Sequence, residues 1–103
     1  MGEDDTVVTI THAALDNGGL YTAHVEGEDA KGTLEWEHDP HQKSVRIATH
    51  TIVPKAIGGR GVAARLVGRL IADAREQHFQ VDPQCWYVAR KFDRNPEWAD
   101  LRA

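Results

Sequence analysis

Val8 and Ile10 alternate with Val7, Thr9 and Thr11, a period of two that predicts a strand over residues 7–12. Asp16, Asn17, Gly18 and Gly19 follow; they tolerate positive φ and predict a hairpin turn. Two more strands are expected over residues 20–25 and 32–36, on either side of the polar turn Glu26, Gly27, Glu28 and Asp29. Asp39 and Pro40 mark the next turn. Residues 45–53 are rich in β-branched side chains and read as a fourth strand, ended by Pro54.

The period then changes. Val62, Ala63, Leu66, Val67, Leu70, Ile71 and Ala74 recur at spacings of three and four, while Arg65, Arg69, Asp73 and Glu76 fall on the other side. This predicts an amphipathic helix of about five turns. Residues 79–82 read as a short fifth strand stopped by Pro83, residues 85–92 as a second helix, and Pro96 opens a last helical turn to Leu101. The expected fold class is α+β, on one mixed sheet. Antiparallel N-terminal strands lead into a right-handed β-α-β crossover and a short C-terminal helix.

Length and composition agree with one domain over residues 1–103, large enough to bury a core. The single cysteine, Cys85, excludes an internal disulfide. No stretch approaches the roughly 18 apolar residues of a membrane helix, and the first residues lack the basic and apolar regions of a signal peptide. A cytoplasmic protein without a membrane partner is expected. Met1 and Gly2 with Thr6 fit the myristoylation pattern in form, but Glu3, Asp4 and Asp5 would be repelled by an anionic membrane, so the match reads as chance.

The net charge of −4 is unevenly spread. Residues 1–44 carry ten acids and two bases, whereas residues 45–103 carry six acids and ten bases. The second half, at +4, points to an anionic partner, against the plainer reading that solvated faces vary in charge. An acidic chain without a basic patch interleaved with aromatics is not expected to bind nucleic acid.

The basic half also holds a break in the helical pattern. Gly58, Gly59 and Gly61 precede the long helix, and no Ser, Thr, Asp or Asn stands there to cap its first amides. A strand end followed by a helix N-terminus is where amides and the helix dipole converge on an anion, and glycines remove the Cβ atoms that would hold a phosphate away. The stretch from Gly59 fits the G-x-G-x-x-A of dinucleotide folds, with Asp82 near the expected distance downstream. That fold places its glycines after the first strand of a parallel sheet, whereas here four antiparallel-looking strands and the spacer 54–57 come first. A Walker loop needs Gly-Lys followed by Ser or Thr, which the sequence lacks.

A third reading covers more of the chain. His50, Thr51, Ile52, Val53 and Pro54 lead through Gly58, Gly59, Arg60, Gly61, Val62 and Ala63 to Pro83, Gln84, Cys85, Trp86, Tyr87 and Val88. Asn95, Pro96, Glu97 and Trp98 follow. From about residue 20 to the end, this order resembles the small single-domain branch of the GNAT superfamily of N-acetyltransferases. The superfamily's acyl-CoA motif is Arg/Gln-x-x-Gly-x-Gly/Ala. Gly59 to Ala63 fit its last five places, while Gly58 stands where Arg or Gln is usual, which removes a side chain but no amide.

The resemblance implies acetyl-CoA as acyl donor. Its pantetheine would lie between the strand before the motif and the strand after the helix, bonded to the backbone of Ile52 and Val53. Gly58, Gly59, Arg60, Gly61, Val62 and Ala63 would hold the pyrophosphate, with Lys55, Arg60 and Arg65 as nearby cations or as solvated surface. Acetyl transfer needs an amine that loses a proton, a donor for the oxyanion and protonation of the departing thiolate. His50 is the candidate base. Cys85 is the candidate for contacting or protonating the CoA sulfur, or for carrying the acetyl group, against the plainer reading of a buried core cysteine.

Other residues are weaker candidates. Tyr87 beside Trp86 reads as packing more readily than as an acid. This branch often has an aromatic in place of Lys91 and a His in place of Asn95, so the acceptor side differs here. Glu35 and Glu37 alternate with Leu34 and Trp36 and face either an amine or water. His38 and His41 lack a further ligand and make a poor metal site. The expected activity is acetyl transfer to a primary amine of a protein, peptide or small molecule, by a monomer or weak homodimer with an open acceptor side. The alternatives are a CoA-binding module without turnover, suggested by the departures at Gly58, Lys91 and Asn95, and an interaction domain that binds no nucleotide.

Overall fold

The computed structural model describes residues 6–103, so the myristoylation pattern at Met1 and Gly2 lies outside the described residues. One sheet carries β1 (Val8–Leu15), β2 (Gly18–Val25), β3 (Lys31–His38), β4 (Val45–Ile52) and β5 (Gln80–Pro83), in that spatial order. The first four strands pair antiparallel, and β5 pairs parallel with β4 after the crossover helix α1 (Val62–Gln77). A second helix, α2 (Trp86–Arg94), leaves the end of β5. A 3-10 helix at Pro96–Leu101 then returns the chain to the sheet, where Arg102 bridges Val81. The α+β meander and crossover expected from the two periods are both present.

The first hairpin departs from expectation. Its turn is Asp16 and Asn17, and neither has a positive φ. Gly18 and Gly19 instead begin β2, because a Cβ at Gly18 would collide with the Trp36 carbonyl oxygen. A Cβ at Gly19 would come within 2.6 Å of His12 Nε2 and Trp36 Nε1. Close approach of neighbouring groups, not turn conformation, requires these glycines.

Tyr21, Ala23, Val25, Leu34 and Trp36 are buried on one side of the sheet, beneath Val62, Leu66, Val67, Leu70, Ile71 and Ala74 of α1. Asp73, on the polar side by period, is buried as well. The Tyr21 hydroxyl donates to it at 2.7 Å, and Arg69 Nε at 3.2 Å. Arg69 Nη1 also donates to the Ile10 carbonyl at 3.1 Å, tying β1 to α1. A carboxylate is tolerated there because it is both paired and hydrogen-bonded. Burial, and then the bond and charge of Asp73, push the Tyr21 phenol above its ordinary range.

Gly68 lies in mid-helix with nothing within 4 Å of where a Cβ would project. Gly68→Ala should stabilise the protein by roughly 0.5–1 kcal/mol, by restricting the unfolded chain and favouring helix. Calorimetry would read this as a raised thermal midpoint. A lowered midpoint would contradict the open surface.

Candidate active site

Between β4 and α1 the chain makes a 3-10 turn at Lys55–Ile57, anchored by the buried Ile57. Gly59 and Gly61 then take φ values of 76° and 73°, the left-handed region that glycine adopts without strain. Gly61 is the N-cap of α1 and offers no side chain to cap it. The amide of Gly58 donates to Lys55 and that of Arg65 to Gly61, each at 3.1 Å. The intervening amides, residues 59–64, donate to no acceptor among the described residues. Nothing lies within 4 Å of a Cβ at Gly59 or Gly61, and the first turn of α1 holds no acid. Consecutive free amides at the positive end of a helix, facing open space, form a nest that fits a phosphate.

The candidate cations around this turn differ. Arg60 is paired with Glu28 of the β2–β3 turn at 3.4 Å. Lys55 and Arg65 pair with no carboxylate among the described residues.

A cleft opens beside the nest. The two parallel strands pair only from Val45 with Gln80 to Ala48 with Pro83. From there β4 continues along β3 to Ile52, while the other chain turns into α2, the Cys85 amide donating to the Ala48 carbonyl at 2.9 Å. Residues 49–52 therefore have no strand on that side. Cys85 occupies the N-cap of α2, with its Sγ 3.5 Å from Thr51 Oγ1. Burial pushes the thiol up, but the Thr51 hydroxyl and the backbone amides of Val88, Tyr87 and Thr51 outweigh it, leaving the pKa below its ordinary value. No side-chain cap bond closes at α2, so the amides of Tyr87 and Val88 act through the field of the helix N-terminus.

Residues 20–101 match the family model described as GCN5-related N-acetyl-transferase. The chain belongs to this family. No curated protein matches it. Membership supports an acyltransferase-type function in general terms, and the five-stranded sheet with its β4-α1-β5 crossover is compatible with the GNAT fold.

In this GNAT-family chain the two candidate catalytic residues lie on different sides of β4. His50 is in register with Glu35, its Nδ1 4.0 Å from Glu35 Oε1, and its side chain is 70% exposed. Strand alternation puts this pair on the side away from α1, whereas Thr51, opposite the buried Leu34, shares the side of α1. The fold thus brings Cys85 to Thr51 and His50 to Glu35, and does not bring His50 and Cys85 together. Ile52 stands exposed at the end of β4, and Val53 packs against the core.

Tyr87 meets Trp86 edge-on with centroids 5.9 Å apart and packs on the core, in keeping with the packing reading. Asn95 donates to the Lys91 carbonyl at 2.8 Å and so helps to end α2. A hollow of about 470 Å³ at the C-terminal end of α1, among Ser44, His78, Gln80 and Asp100, takes no part in this arrangement. Thr51 is the residue that sequence reasoning missed. On a strand, a threonine looks like any β-branched residue, and its position between His50 and Ile52 was its only signal.

Proposed function

We propose that this protein binds acetyl-CoA and transfers its acetyl group to a primary amine. The observation that carries the reading is the run of free amides over residues 59–64 at the N-terminus of α1, opening beside the splayed ends of β4 and β5. Gly58, Gly59, Arg60, Gly61, Val62 and Ala63 would hold the pyrophosphate, and the backbone of Ile52 and Val53 the pantetheine arm.

Cys85 then stands at the level of the acyl sulfur. Its lowered pKa favours the carrier role. The Cys85 thiolate attacks the acetyl carbonyl, and the bond from that carbon to the CoA sulfur breaks, releasing CoA thiolate. The amine attacks the carbonyl of S-acetylated Cys85, the new C–N bond displaces the Cys85 thiolate, and the amine proton passes to solvent, because His50 faces the other side of β4. Solvent returns that proton to the CoA thiolate, so the products are amide and CoA thiol.

Two measurements test the reading. Calorimetric titration with acetyl-CoA and CoA should give saturable binding at one site. Mass analysis across a panel of peptides and small amines should then find acetylated product with equivalent free CoA thiol. Binding without any amine-dependent release of thiol would leave a CoA-binding module, and no binding would remove the cofactor site.

A further inference from the structure

We infer that the outer face of α2 docks an acidic peptide segment, and that the preferred acceptor amine is a lysine flanked by carboxylates. The inference rests on the transferase reading above for the word acceptor, but the docking surface stands on its own observations. Cys85, Val88 and Phe92 turn inward and are buried. Trp86, Tyr87, Arg90, Lys91 and Arg94 recur on the opposite side of the helix and line a groove of about 200 Å³. Trp86 is 72% exposed, a large apolar surface left in water beside three cations.

The cations of this fold divide into paired and unpaired ones, and Lys55 and Arg65 beside the nest already belong to the unpaired set among the described residues. Arg60, Arg69, Arg75 and Arg102 each hold a carboxylate. Arg90, Lys91 and Arg94 hold none among the described residues, and Asp93, the acid on their own helix, is drawn away by Arg102 at 2.9 Å. Lys91 Nζ lies 5.6 Å from the Tyr87 ring centroid, so its charge stays by the groove. A protein of net charge −4 thus places three unneutralised cations together on one aromatic-walled helix face. Its complement is a ligand with several carboxylates and some apolar surface.

Position decides between the nucleotide end of the acyl donor and the acceptor. Arg75, in the last turn of α1, donates to the Glu97 carbonyl at 3.0 Å and to Asp100 at 3.2 Å, both in the 3-10 helix that follows α2. The Arg94 end of α2 therefore lies toward the C-terminal end of α1. The phosphate nest is at the other end of that helix, about 24 Å away for 16 residues. The groove begins beside Cys85 and runs about 12 Å along α2 away from the nest. Phosphates held at residues 59–64 leave it to what approaches from the acceptor side.

The test uses a labelled lysine peptide with Asp and Glu flanking the lysine, and its Asn and Gln counterpart. Anisotropy measures their binding to the whole protein and to the Arg90→Gln/Lys91→Gln/Arg94→Gln variant. The acidic peptide should bind the native protein roughly tenfold tighter than the neutral one, increasingly so at low salt, and the variant should lose that preference while keeping acetyl-CoA affinity. In turnover, kcat/KM should show the same preference through KM.

Equal binding of the two peptides would overturn the inference. So would a variant that keeps the preference, or one that loses acetyl-CoA affinity, which would give the groove to the donor's 3′-phosphate. Tighter binding of a single-stranded oligonucleotide through the same residues would also overturn it. If neither peptide is acetylated yet the acidic one binds as expected, the assignment of a lysine flanked by carboxylates as acceptor fails and the docking surface stands, while the amine panel decides the transferase reading separately.

Discussion

Gly61→Val should lower the affinity for acetyl-CoA by roughly a hundredfold or more while the sheet and core remain folded, the largest effect expected of any single substitution here. Gly61 has φ 73°, where a residue with a Cβ is strained by about 1–2 kcal/mol and a β-branched one more. Either the loop moves to relieve that strain, scattering the amides of residues 59–64, or it holds and the valine methyls enter the open space in front of them. Both outcomes take donors from the pyrophosphate. Gly61 is exposed and a Cβ there meets nothing within 4 Å, so the global fold should lose only a small part of its stability. Calorimetric titration gives the affinity, and circular dichroism with a thermal melt confirms folding. Unchanged affinity in a folded variant would reduce the glycines to turn formers and remove the cradle.

What the sequence displayed and what it hid follow one physical line. The alternation in β1, the β-branched run of β4 and the three- and four-residue spacing of α1 are local patterns imposed by a buried face, and each became the element it predicts. The missing cap before Val62 was legible for the same reason, since capping is settled within a few residues. Gly18 and Gly19 were misread because their cause is the Trp36 backbone and ring on another strand. Asp73 was placed on the polar side because its partners, Tyr21 and Ile10 by way of Arg69, lie more than fifty positions away.

The candidate site divides in the same manner. Its glycine turn is contiguous and was readable, whereas the approach of Cys85 to Thr51 depends on where β5 leaves β4. The basic face of α2 was hidden by ordering. Arg90, Lys91 and Arg94 alternate with Ala89, Phe92 and Asp93 along the chain, and only the helix gathers them beside Trp86. Charge counting found the positive half of the chain without finding the surface that carries it.

Cys85→Ala should reduce turnover by roughly a hundredfold while changing the affinity for acetyl-CoA little, because the alanine keeps the buried Cβ and removes only the sulfur. The pH dependence identifies the sulfur's role. A thiol whose pKa lies below its ordinary value becomes thiolate at lower pH, so the rate of Cys85 alkylation by iodoacetamide should rise with pH through a midpoint below that of a free cysteine. Thr51→Val removes the hydroxyl 3.5 Å from Sγ while preserving shape, and should move that midpoint upward and the alkaline rise of turnover with it. Incubation with acetyl-CoA alone should add one acetyl mass at Cys85, as a carrier requires and a proton donor does not. A midpoint the same with and without the Thr51 hydroxyl, together with undiminished turnover in Cys85→Ala, would return Cys85 to the packing of α2 and leave the open-face pair His50 and Glu35 to act on the amine alone.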